Sequence, residues 1–152
     1  MSRFEVEAGS FKRLYAAIIF VAAATFVWTG CAANKATATV DPKADLSKLK
    51  TLSVVTDDPG ATETRGLIER KLSSMGYQVV QEKGREVDAV VTFKDRWAWD
   101  ITTYMLELTV VIREPNTDFP LATGNSFHTS LTRKSPQEMV DEVLNNIFKG
   151  GK

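Results

Sequence analysis

Few side chains in this sequence are suited to chemistry, and they are scattered. Cys31 is its one cysteine and His128 its one histidine. A lone thiol cannot close an internal disulfide. A catalytic imidazole needs a group to orient it, and Phe127 and Thr129 supply none. His128 therefore reads as a histidine on the surface of a polar strand. One His, one Cys and dispersed carboxylates lack metal-ligand spacing, so neither a metal nor a cofactor is expected. Asp57 and Asp58 precede Pro59-Gly60 and read as turn initiators rather than an acidic dyad. Asp95 and Asp100 are the one carboxylate pair with glycosidase potential, although nothing in the sequence sets their separation. No nucleophile elbow and no glycine-rich phosphate loop occurs. No catalytic residue is assigned.

Binding chemistry has a clearer candidate. The segment KDRWAWDITTY, residues 94–104, places Trp97 and Trp99 two apart. In an extended chain they share a face with Phe93, while Lys94 and Arg96 point the other way. Trp is enriched at binding hot spots. Two readings follow: an aromatic platform for a partner, or a cap on the end of the core where two strands meet.

Composition narrows the classes. The chain has 152 residues, 43% hydrophobic and 25% charged, a profile that fits one folded domain. Basic and acidic residues number 19 each, so no overall positive field gathers nucleic acid.

The first thirty residues stand apart. Lys12 and Arg13 precede an uncharged run, residues 14–28, which would span about 22 Å as a helix. A bilayer core needs about 20 apolar residues. The run fits the hydrophobic region of a signal peptide better. Extended through Ala33 it reaches 20 uncharged residues, the length of a tilted, uncleaved anchor. Glu5 and Glu7 are unusual in a leader and fit a start downstream of Met1.

A basic stretch, an apolar run and Thr29-Gly30-Cys31 resemble the bacterial lipoprotein signal and its lipobox. The resemblance implies cleavage between Gly30 and Cys31 and a lipid on the Cys31 thiol. Trp28 stands where that family prefers Leu. Ala32 follows the cysteine in place of the Asp that retains such proteins at the inner membrane, which implies the outer membrane, facing the periplasm. The inner membrane is the alternative address. A mature chain starting at Cys31 keeps 16 basic and 17 acidic residues.

Residues 31–48 are small and polar, without clear periodicity, and read as the lipidated Cys and a flexible linker. Residues 49–152 read as one α/β domain. Residues 51–56, 77–81, 88–97, 102–114 and 121–133 carry strand signals, the last a polar strand near an edge with a possible bulge at Gly124. In the fourth, Tyr104, Leu106, Leu108, Val110 and Ile112 alternate onto one face. Turns are expected at Pro59-Gly60, over residues 82–86 and over 114–118. Leu67, Ile68, Leu72 and Met75 stripe a helix over 63–75 closed by Gly76, and Ser135 to Glu138 forms a capping box opening a helix with Met139, Val140, Val143, Leu144, Ile147 and Phe148 inward. The expected fold is α+β, a two-layer β-α-β-β-β-α sandwich. Its mixed sheet carries both helices on one face and leaves the other partly open.

With its lipobox and this order of elements, the chain resembles small periplasm-facing lipoproteins of Gram-negative bacteria of unknown function. The likeness runs through Asp88 to Leu131 and the pattern W-x-W-D-I-x-x-Y-x-L-x-L. The expected function is a membrane-anchored, non-enzymatic accessory module that binds an envelope protein, glycan or lipid. The alternatives are a tethered hydrolase using Asp95, Asp100 or His128, and the same domain on an uncleaved helix.

Overall fold

The computed structural model describes residues 34–81 and 86–150. The expected leader over 1–30, Cys31 with its cleavage bond, and the centre of the turn over 82–86 lie outside the described residues. Six strands and two helices follow in order: β1 (Lys35–Val40), β2 (Thr51–Val55), α1 (Thr62–Ser74), β3 (Gln78–Val80), β4 (Ala89–Trp99), β5 (Thr103–Arg113), β6 (Pro120–Phe127) and α2 (Pro136–Gly150). One sheet contains all strands in the order β1-β6-β5-β4-β2-β3. β2 runs parallel to β3 and β4, and the remaining pairs are antiparallel. This is the expected α+β two-layer architecture with a mixed sheet.

Both helices lie on one side because one face of the sheet is apolar. Cross-strand partners share a face. The ladders connect Leu52 to Ala89, Val54 to Val91, Val91 to Ile112, Phe93 to Val110, and Ile112 to Ala122. All of these are buried. Leu67, Ile68 and Leu72 of α1 and Met139, Val140, Val143, Leu144 and Ile147 of α2 close over them. The opposite face carries Ser53, Thr92, Thr109 and Thr123 and stays partly exposed.

Local signals set the helix ends. Asp58 O accepts from Ala61 N at 3.2 Å, and the Asp58 carboxylate accepts from Gly60 N at 2.8 Å, placing Pro59-Gly60 at the centre of the turn. Gly76 adopts φ +96° after α1, the left-handed closure that only glycine adopts without strain. At α2, Ser135 N donates to Glu138 Oε2 at 2.8 Å and Glu138 N donates to Ser135 Oγ at 3.3 Å, the reciprocal pair of a capping box.

Four expectations need correction. Residues 35–40, read as linker, form β1 and pair with β6 throughout. Alternate small residues let Ala38 and Val40 pack on the core while Thr37 and Thr39 face solvent. Leu46, also in the supposed linker, is buried. With β1 outside it, β6 is not at the edge. Gly124 marks a close approach rather than a bulge: a Cβ there would lie 2.8 Å from Ile147 and 3.0 Å from Val143 of α2. Finally, Arg96 pairs with Glu107 but Trp97 pairs with Met105, leaving Leu106 as the extra residue. Beyond that bulge the faces exchange, so Met105 is buried and Leu106 is not.

Candidate binding surface

The sheet topology brings four strand ends to one end of the domain. β1 starts there, β4 ends, β5 starts and β6 ends, since β1 and β5 run antiparallel to β6 and β4 to β5. Trp97 and Trp99 close β4 at this end and are 41% and 75% exposed. The bulge residue lies on β5, so β4 keeps its alternation and the two rings stay on the helix side with Phe93. Phe93 is buried, whereas the tryptophans are open to solvent. Lys94 and Arg96 lie on the other face, where Arg96 Nη2 meets Glu107 Oε2 at 3.0 Å.

The two carboxylates considered for catalysis are held by internal hydrogen bonds. Asp95 Oδ2 accepts from Thr64 Oγ1 of α1 at 2.5 Å and from the Trp97 indole N–H at 3.1 Å. Asp100 receives Arg133 Nη2 at 3.1 and 2.9 Å on its two oxygens. Backbone N–H groups of Ile101 and Thr102 also reach Asp100. The Ile101 N–H first, then the Thr102 N–H and the Arg133 charge, outweigh partial burial and hold this carboxyl below the usual range. Arg133 further donates to Thr102 Oγ1 at 2.7 Å and lies 4.6 Å from the centre of the Tyr104 ring.

His128 is the clearest departure from expectation. It is only 4% exposed, not on the strand surface. The strand ends at Phe127, and the chain turns His128 under α2, where Nε2 lies 2.7 Å from Glu142 Oε2. Ser126 Oγ donates to the same oxygen at 2.6 Å, and Lys134 Nζ donates to Oε1. Burial raises the Glu142 pKa, but these three partners outweigh it and lower it to about 2. Glu142 is therefore ionised, and Nε2 is the donor. Ser126 and His128 converge on Glu142 rather than on each other, so the hydroxyl is not activated by the imidazole. His128 Nδ1 is buried and finds no partner among the described residues. An imidazole enclosed on both nitrogens offers a substrate no open side.

Sequence reasoning missed Glu142, which lies 14 residues from His128, and the exposed Ile101 and Leu131. Their side chains are 89% and 91% exposed. The hydrophobicity of Ile101 beside Asp100 was a signal for the first. Leu131 was read as part of a strand, whereas it sits in a single 3-10 turn, Ser130–Thr132. A separate cavity of about 580 Å³ opens on the free sheet face, between Asp57, Asp58, Lys94 and Arg113. No group of three potential metal ligands occurs among the described residues. No described helix is long and apolar enough to cross a membrane.

By sequence, no family model and no curated protein matches the chain. By structure, it is similar to the PelC dodecamer from Paraburkholderia phytofirmans, with TM-score 0.56, 12% identity, and coverage of 75% of this chain and 97% of that one. It is also similar to a DUF4136 family protein from Bacteroides thetaiotaomicron, with TM-score 0.53, 10% identity, and coverage of 77% and 95%. At these identities the likeness is one of fold. The shared fold is bacterial in both cases.

Proposed function

We propose that this chain is a lipid-anchored envelope protein whose domain acts as a non-enzymatic binding module. The observation that carries this reading is the contrast at the domain end. Asp95, Asp100 and His128 are committed to internal partners, whereas Trp97 and Trp99 remain open. Side chains held by structural hydrogen bonds are poor acids and bases, and exposed tryptophans are strong contact residues. The same contrast favours a binding module over a tethered hydrolase. Its partner is a protein, glycan or lipid of the envelope.

Attachment is assigned to Cys31, with cleavage after Gly30, and Ala32 directs the chain to the outer membrane. Labelling with a clickable palmitate analogue tests this. Wild type takes up the label, and Cys31→Ala does not. An intact mass that includes residues 1–30, with no acyl addition at Cys31, overturns the assignment.

Self-association is a second reading. It is favoured by the dodecamer of the PelC neighbour and by β1 and β3, the outer strands of the sheet among the described residues. Light scattering in detergent separates one chain from a ring.

A further inference from the structure

Five large apolar side chains stand exposed among the described residues, and four of them gather at one end of the domain. Trp97, Trp99, Ile101 and Leu131 lie there; Phe119 lies in the β5–β6 turn at the other end of β5, about 33 Å away for a strand of this length. The segments that carry Ile101 and Leu131 are tied to each other. Ile101 sits between Asp100 and Thr102, and Arg133 grips both while its Nε donates to Ser130 O at 3.0 Å, beside Leu131. The hairpin tip and the 3-10 turn therefore form one prearranged surface, so little ordering is lost when it meets a partner.

The chain reaches the domain at this same end. Asn34 Oδ1 accepts from Thr132 Oγ1, and Lys35 pairs with Phe127. Only Ala32 and Ala33 separate Cys31 from Asn34, and these three Cα–Cα steps reach at most about 11 Å. The headgroup layer is itself several ångströms thick, so a tether of this length leaves no room to hold the apolar end away from it. A flexible linker of 18 residues would have allowed any orientation; a strand starting at Lys35 removes that freedom.

From this juxtaposition we propose that the surface of Trp97, Trp99, Ile101 and Leu131 docks on the bilayer to which the chain is tethered. This rests on the reading of Cys31 as the attachment point. The chemistry of the surface suits the interface. Trp prefers the headgroup level, where its ring leaves water and its N–H keeps a polar partner. The Trp97 N–H is already bonded to Asp95, so burying that ring strands no donor. Asp100, the carboxylate closest to Ile101, is matched by Arg133 and brings no unpaired negative charge to the lipid. Ile101 and Leu131 add apolar area that enters the acyl boundary.

The test uses the full chain carrying Trp28→Phe, so that only Trp97 and Trp99 emit whether or not the leader is removed. It is reconstituted in phosphatidylethanolamine–phosphatidylglycerol vesicles containing lipids spin-labelled near the headgroup. Loss of most of the tryptophan emission is expected. A second chain with Trp97→Phe and Trp99→Phe, and Phe119→Trp as reporter at the far end, keeps its emission. Equal quenching, or none, in the two chains overturns the docking. Intact mass of the same sample keeps the two readings apart. An acylated Cys31 with unquenched Trp97 and Trp99 defeats the docking alone, and an unacylated chain that leaves the vesicles defeats the anchor and the docking together. Emission that is blue-shifted yet unquenched, from particles of several chains, gives the surface to a second copy and also overturns the proposal.

Discussion

At the scale of single residues, Glu142 holds together a cluster of polar side chains. It accepts from Ser126, His128 and Lys134 beneath α2. Removing its charge leaves a buried imidazole and hydroxyl without their acceptor. Glu142→Ala is expected to lower unfolding stability by about 2 kcal/mol in urea titrations at neutral pH. The acid response follows from the same contacts. The Glu142 pKa is lowered from the ordinary glutamate value of 4.5 to about 2, so its stabilising effect is complete above that higher value and fades as pH falls toward the lower one. Asp88, Asp100, Glu114 and Glu138 are also lowered, so wild type weakens in acid for several reasons. The difference between wild type and Glu142→Gln isolates this one. The urea midpoint of the variant is expected to fall less between pH 5 and pH 2. A parallel fall would remove Glu142 from the acid response.

At the scale of elements, β1 and the α2–β6 contact decide whether the sandwich closes. Val40 packs on the core from what was expected to be linker. Val40→Asp is expected to cost about 1–3 kcal/mol, measured by urea unfolding, because it puts an unpaired charge against that core. A true linker would tolerate the change. Gly124 allows Ile147 to approach the backbone of β6. Gly124→Ala is expected to destabilise by about 1–3 kcal/mol through overpacking. Adding Ile147→Val removes Cδ1, one of the two Ile147 atoms nearest the new methyl, and should recover part of that loss. A double-mutant cycle with no coupling would show that the two positions do not share the space.

At the scale of the molecule, Arg133 joins two segments that are far apart in sequence. Through Asp100, Thr102 and Tyr104 it ties the β4–β5 tip to the turn that precedes α2. Arg133→Ala is expected to leave the sheet folded and to raise amide exchange at Ile101, Thr102 and Thr103 several-fold. Unchanged exchange would show that the tip is ordered without the clamp. β1 begins four residues after Cys31, so on the proposed attachment the tether enters the domain at the end that carries Trp97, Trp99, Ile101 and Leu131.

The elements themselves were legible because their signals are local. The 3.6-residue stripe of α2, its capping box, the alternation of Leu108, Val110 and Ile112, and the Pro59-Gly60 turn each depend on neighbours in sequence. They also specified a two-layer sandwich, since two one-sided helices and one half-apolar sheet have a single way to bury their faces. The likeness of Thr29-Gly30-Cys31 to a lipobox belongs to the sequence alone. What depended on distant partners was not legible. Lys35–Val40 is a weak strand by its small residues and exists because β6 offers an edge to it. The bulge at Leu106 exchanges the faces of β5, which strict alternation cannot foresee. His128 is buried because Glu142, on another element, receives it. The gathering of Trp97, Trp99, Ile101 and Leu131 beside Asn34 is likewise a product of topology. Residue types and their periods are written along the chain, whereas the company each residue keeps is set by which strand ends the sheet brings together.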